Sequence, residues 1–316
     1  MASAEDENQG TQTKVLCVGL VCLDIVKVVT HFPVEDTDQR CEDCLWRRGG
    51  NASNTSTVLS LLGARPEYLG TLARGPYLQF VQSDFEEHGI VSDHCPVLTQ
   101  GACPVSLIIL NQASGSRTIL HTNKNLQELS LDDFQKLSLS SGQYSWIHFE
   151  GRPNVEEIRK MLLHVEEHNS SCEESSKVIT SLEVEKVDRV AQLRGLMRHV
   201  DYVFVSKEAA TSLGYTDQQT AVEGLVSNCR DSAAVICPWG EKGASAKRKG
   251  SPAVTSPAFP PEVVMDTIGA GDTFNAATIF ALNSGKDLGE SVTFGCKVAG
   301  AKCGMMGNAG LRGMTF

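Results

Sequence analysis

The sequence contains no apolar run approaching the roughly 18 residues that cross a bilayer, so no membrane partner is expected. Basic residues are the scarcer charge. In a chain of 316 residues, 28 Lys and Arg stand against 38 Asp and Glu, a formal net charge of −10. An acidic molecule repels polynucleotide phosphates, which disfavours a nucleic-acid partner. It does not exclude one nucleotide, which local donors and a metal ion can hold. There is no GxxxxGK[ST] loop, and no GxGxxG opens a helix after the first apolar strand. A P-loop kinase and a dinucleotide-dependent oxidoreductase are therefore not expected. The eleven cysteines are odd in number, and several, such as Cys17, Cys103 and Cys237, lie inside apolar runs. That pattern reads as reduced thiols of a cytoplasmic protein. Cys41 and Cys44 form a CxxC with no second CxxC or HxxxH to complete a metal site. Two free thiols near a strand end are expected there, with a redox role as the alternative. The acidic, polar stretch 1–13 lacks the basic and apolar regions of a signal peptide and reads as a disordered tail.

What is present is the pattern of one large α/β domain over 14–316. Short apolar, β-branched or aromatic runs at Val15–Val18, Trp146–Phe149, Val178–Leu182, Tyr202–Val205 and Ala233–Cys237 predict buried strands. Helices alternate with them. Ser130-Leu-Asp-Asp133 predicts a capped helix over Phe134–Leu137, Thr216-Asp-Gln-Gln219 another, and Asp287-Leu-Gly-Glu290 a looser version of the same signal. The alternation predicts a mainly parallel central sheet flanked by helices. Leu23–Phe32 and Pro104–Leu120 break it, with Asn111–Ser116 as a turn. Read as excursions over about 23–47 and 98–122, they make a small antiparallel β-sheet lid; edge strands of the main sheet are the alternative.

The strongest chemical signal is Asp266-Thr-Ile-Gly-Ala-Gly-Asp272, which opens a long apolar helix ending before Gly285. Gly269, Ala270 and Gly271 leave the backbone open at a helix N-terminus, where the dipole favours an anion such as a phosphoryl group. Asp272 beside it reads equally as a general base for an attacking hydroxyl or as an acid complementing the dipole. Arg48-Gly-Gly-Asn-Ala-Ser-Asn54 opens a second helix, with Gly50 at its gate. Asn51 and Asn54 share a helix face and suit a polyhydroxylated ligand, although N-capping by Asn51 is the plainer reading. Asp24 follows an apolar strand at the sheet's carboxyl edge, where it could accept two hydroxyls or simply end the strand. Gly240-Glu241-Lys242-Gly243 is a flexible loop after a strand, a weak nucleotide-edge pattern.

Taken together, DTIGAGDTFNAA and RGGNASN followed by TVLSLLGA resemble the two signatures of ribokinase-like carbohydrate kinases. LCVGLVCLDIV, FPVEDTDQR, WIHFEGR, SLEVEK, VFVSKEAA and FGCKVAGAKCG resemble the branch of that family that phosphorylates ketohexoses. The likeness runs from about Leu16 to Gly304. It implies a ribokinase-like fold with a β lid, a homodimer through that lid, and transfer of the ATP γ-phosphoryl to the 1-hydroxyl of D-fructose. It implies ATP with Mg2+ and allows a monovalent cation, K+. By motif it makes Asp272 the base and Gly269, Ala270 and Gly271 the anion hole. Asp24, Gly50, Asn51 and Asn54 hold the sugar, Arg117 contacts nucleotide phosphate, and Gly240, Glu241, Lys242 and Gly243 line the adenosine. Asp36 would reach the neighbouring subunit's sugar; a solvated turn acid is the plainer reading. Two positions depart from the family pattern. Ser206-Lys-Glu-Ala209 stands where many members have Asn-x-x-Glu, so no metal ligand is named, and Lys242 replaces a usual acid. A family kinase for another sugar or nucleoside, and a non-catalytic sugar-binding protein on the same fold, are the competing functions.

Overall fold

A computed structural model describes residues 13–114, 116–139 and 142–316; the proposed tail lies almost wholly outside the described residues. In chain order the elements begin β1 (Lys14–Val18), β2 (Cys22–Val29), β3 (Asp43–Gly49), α1 (Asn51–Leu61), β4 (Pro66–Leu69), β5 (Leu72–Ala73), α2 (Leu78–Glu87) and β6 (Val97–Leu98). Then come β7 (Ala102–Asn111), β8 (Ser116–Lys124), α3 (Leu131–Phe134), β9 (Tyr144–Glu150), α4 (Val155–Ser170), β10 (Ile179–Val184), α5 (Val190–Leu193), β11 (Tyr202–Val205) and α6 (Lys207–Ser212). The chain closes with α7 (Gln218–Leu225), β12 (Ala234–Pro238), β13 (Ala244–Arg248), β14 (Ala253–Ser256), α8 (Ala270–Asn283) and α9 (Leu288–Cys303).

The main sheet runs β14-β13-β12-β11-β10-β9-β1-β4. From β4 to β12 every pairing is parallel, and β13 and β14 add an antiparallel edge. Alternate residues of β1 serve opposite faces, as the pleat requires. Val15 and Cys17 pack with α1, α8 and α9, whereas Leu16 and Val18 pack with α4 and α7. Strands buried on both faces need near-continuous apolar runs, which is why these runs are legible. Strand order reverses at β1, which has β4 on one side and β9 on the other. Ligands of open α/β sheets bind at the carboxyl ends beside such a switch.

The excursions form a separate four-stranded sheet, β3-β2-β7-β8. It is not wholly antiparallel as expected: β2 and β7 run parallel, because the chain returns to β2's side only after the intervening α1–β6 segment. Three helix starts also differ in detail. α3 is capped by Ser130, whose side chain accepts from the Asp133 N–H, but ends at Phe134. α7 is capped by Asp217, one residue past Thr216, because its carboxylate accepts the Thr220 N–H. The looser signal proves complete: Asp287 and Glu290 make a reciprocal capping box on α9.

Candidate active site

Two glycine-gated helix starts meet at the carboxyl edge of the sheet. α1 is capped by Gly50 rather than Asn51, with φ 100°. A Cβ on Gly50 would stand 2.2 Å from the Leu20 carbonyl oxygen, so only glycine lets this turn close. Arg48 anchors the same start. Its buried guanidinium donates to Asp84 (2.7 Å), the Ser53 carbonyl (3.0 Å) and Thr57 Oγ1 (2.6 Å). Glu150, at the end of β9, accepts the N–H groups of Leu20 (2.8 Å) and Ala52 (3.2 Å). One carboxylate thus ties the β1–β2 turn to the first turn of α1.

α8 is capped by Gly269 in the left-handed region, φ 72°. The Ala270 N–H already bonds the Thr267 carbonyl at 3.3 Å, so the expected three-residue cradle is narrower. The N–H groups of Gly271 and Asp272 find no acceptor among the described residues, and space above Gly271 is open. The lead-in is fixed by Asp266, whose carboxylate accepts from Arg47 (2.8 Å), Ile268 N–H (2.9 Å) and Gly307 N–H (3.0 Å). Lys302, fully buried, donates to the Asp266 carbonyl at 2.7 Å. Burial alone would raise the Asp266 carboxyl, but Lys302, these N–H donors and Arg47 outweigh it and hold it below the usual range.

The structure brings Asn51, Asn54 and Asp272 together. Asn54 Nδ2 donates to Asp272 Oδ2 at 2.7 Å, and Asn51 Nδ2 to Glu185 Oε2 at 2.8 Å. Burial pushes Asp272 up to about 7, against the Asn54 bond and with help from Glu185 and Glu150. Asp24 stands at the lead-in to α1, its carboxylate packed over Gly49, where a Cβ would meet Oδ2 at 2.2 Å. Burial raises Asp24 too, against hydrogen bonds from Ser106 and Cys22.

The second sheet turns one face toward this edge. Asp24, Arg47, Ser106 and His121 stand in register across it. Arg117 on β8 donates to Thr267 Oγ1 at 2.5 Å, which puts it at the α8 lead-in. Gly240–Lys242 is a short turn after β12, further along the same carboxyl edge. Gly243 follows at φ 82°, and Glu241 pairs with Lys207 at 3.6 Å. Asp36 is not part of this cluster. It sits exposed on the β2–β3 loop at φ 61°, with no hydrogen bond or ion pair among the described residues.

Sequence reasoning missed Glu150, Glu183, Glu185 and Asn275. Asn275 Nδ2, one turn along α8 from Asp272, donates to Glu183 Oε1 at 2.9 Å. Glu183 and Glu150 are register partners on β10 and β9. The available signal for the three acids was a carboxylate at or near the end of a largely apolar strand: Glu150 in WIHFE, Glu183 and Glu185 in SLEVE. Ser206, where the family motif has Asn, caps α6 and donates to the Glu185 carbonyl at 3.2 Å. No group of three or more His, Cys, Asp or Glu among the described residues is placed to hold a metal ion. All eleven cysteines are free. Cys17 and Cys237 are buried, Cys103 is half-buried, and Cys41 and Cys44 are exposed. No helix among the described residues is long and apolar enough to cross a membrane.

An open parallel sheet with an anion-receptive helix start, a raised carboxyl beside it and convergent amides is the architecture of a small-molecule kinase. The pfkB family carbohydrate kinase pattern matches residues 12–310, and the chain belongs to that family. It is 45% identical to mouse ketohexokinase over 300 residues, which span 95% of this chain and 99% of that one. It is 25% identical to the ribokinase of Bacillus subtilis over 79% of each chain. Among solved structures, ribokinase from Giardia lamblia superposes with a TM-score of 0.80, covering 95% of this chain and 96% of that one, at 16% identity. Ribokinase from Cryptococcus neoformans in complex with ADP gives 0.74, covering 95% and 96%, at 20% identity. At such identities these two structures speak for the fold alone.

Proposed function

We propose that this chain transfers the γ-phosphoryl group of ATP to the 1-hydroxyl of D-fructose. The observation that carries the reading is the 45% identity to mouse ketohexokinase along nearly the whole of both chains. In this reading Asp272 takes the proton of the attacking hydroxyl, and the open N–H groups at the α8 start receive the transferring phosphoryl. Gly269 and Gly271 keep that approach clear of side chains, with Ala270 between them. Asp24, Gly50, Asn51 and Asn54 hold the sugar. Arg117 meets nucleotide phosphate, and Gly240, Glu241, Lys242 and Gly243 line the adenosine. Mg2+ would arrive with the nucleotide, held by phosphate oxygens and water, since no group of three or more His, Cys, Asp or Glu among the described residues is placed to hold it. We assign no residue to K+. The free thiols support a reducing, cytoplasmic setting. An ADP-release assay across a panel of sugars, with the product's position read by NMR, tests the reading. Fructose should be the preferred acceptor and fructose 1-phosphate the product; fructose 6-phosphate as the main product would sink it.

We further propose a homodimer through the second sheet, with Asp36 closing the neighbouring subunit's site. Trp46, Ile25, Leu107 and Leu120 form one cross-strand row on the sheet's outer face. Trp46 is 50% exposed, Leu107 36% and Leu120 55% in the single chain, an apolar row in want of cover. Subunit exchange tests both claims. Mixing Asp36→Ala with Asp272→Asn makes about half of the dimers mixed, so roughly a quarter of all sites pair an intact Asp272 with a neighbour's intact Asp36. Activity should rise above the sum of the parents. Strict additivity would remove the cross-subunit role.

A further inference from the structure

Four carboxyl groups converge at the mouth of the site, and three have a stated partner for their charge. Glu150 Oε1 accepts from Arg152 at 3.2 Å. Glu185 Oε2 pairs with Lys186 at 2.7 Å. Asp272 is met by the Asn54 amide and by the open N-terminus of α8. Glu183 makes no direct ion pair among the described residues and stands at no helix end; the cation acting on it, Lys186, is paired with Glu185. It is 5% exposed, its Oε1 takes one amide hydrogen from Asn275, and its Oε2 is buried without a partner. A carboxylate in that position would be a desolvated charge among three like charges.

We propose that Glu183 is a positioning residue of the phosphoryl-transfer site, one that works only as the neutral acid: it seats Asn275, and through it the first turns of α8, without adding an anion beside the incoming phosphates. The inference rests on the kinase reading above. The groups facing Glu183 are Asp272, Glu185 and Glu150, with the Asn51 amide and the Lys186 ammonium. Burial first, then Asp272, Glu185 and Glu150, outweigh the Asn51 amide and raise its carboxyl well above the ordinary carboxylate range, which favours the neutral form. Once pH rises far enough, that proton is lost. A second negative charge then appears beside Asp272, phosphate binding weakens and turnover falls.

The pH profile of kcat distinguishes this from a plain packing role. The wild-type protein should show an alkaline fall. Glu183→Leu leaves the Asn275 amide without its acceptor and should lower kcat about 10–100-fold on the plateau. Glu183→Gln restores an acceptor for Asn275 but has no proton to lose. It should recover most of that loss and abolish the alkaline fall. An alkaline fall that survives in Glu183→Gln, a wild-type profile without one, or a Glu183→Gln variant as impaired as Glu183→Leu would each overturn the proposal. The acid side of the same profiles reports on Asp272 separately. A lost acid limb with an intact Glu183 effect would therefore fault the base assignment and not this one.

Discussion

Asp272→Asn is expected to lower kcat by about 10²–10⁴-fold while leaving the binding of both substrates nearly unchanged. The amide is isosteric, and its oxygen can still accept from Asn54, so the contact at 2.7 Å survives. What is lost is the capacity to take a proton. Wild-type activity should carry the signature of that capacity. Burial pushes Asp272 up to about 7, so its carboxyl is protonated over the acid range in which a solvated aspartate is already ionised. A base must be ionised to act. The kcat profile should therefore fall as pH drops through about 7, and the residual turnover of the variant should lack that limb. Unfolding is not the cause of any loss. A native carboxyl raised by burial weighs increasingly against the folded state as pH climbs from the unfolded aspartate value of 3.8 to about 7, and fully above that, so the amide should leave stability equal or higher there. Near-wild-type kcat in the variant, or a variant that keeps the acid limb, would remove Asp272 from the proton-transfer role.

How far the sequence shows this site depends on whether the signal is local. Tyr202–Val205 is a buried strand to the residue, because four apolar side chains in a row have no other economical place in a layered fold. The helix starts at Gly50 and Gly269 are equally visible, since a glycine pair before an apolar run is a local event. Asp217 displacing Thr216 as a cap is a choice between neighbouring oxygens that composition does not decide. The parallel pairing of β2 with β7 is invisible, because it joins distant segments and leaves no mark in either. Glu150 and Glu183 were missed for the same reason. Each looks like the polar end of a strand, and only the β9–β10 register places them side by side. Asn275 is hidden differently: in an apolar helix a buried amide reads as a lapse in the pattern until its acceptor, Glu183, is seen.

Gly50→Ala should cost more stability than any other single methyl added to the α1 region. Two separate penalties fall on it. The backbone sits at φ 100° and ψ 136°, a conformation in which a side-chain-bearing residue is strained by about 1–3 kcal/mol. The new methyl would also stand 2.2 Å from the Leu20 carbonyl oxygen and 2.8 Å from its carbon, both backbone atoms. Leu20 cannot easily retreat, because its N–H is held by Glu150 at 2.8 Å, and Glu150 holds the Ala52 N–H as well. Overpacking of this kind adds about 1–3 kcal/mol, so the sum is roughly 2–6 kcal/mol, a large share of a marginal total. Gly63, at the other end of α1, separates the two causes. Its φ is 91°, yet nothing lies within 4 Å of the Cβ it would gain. Gly63→Ala should therefore show the backbone penalty alone. Urea unfolding of both variants gives the comparison directly. A lower midpoint for Gly50→Ala than for Gly63→Ala is expected, with surviving protein weakened more for sugar than for ATP, because Asn51 and Asn54 ride on the displaced turn. Equal midpoints would mean that the turn at Leu20 yields, and that the close approach of β1–β2 to α1 does not fix where those two amides stand.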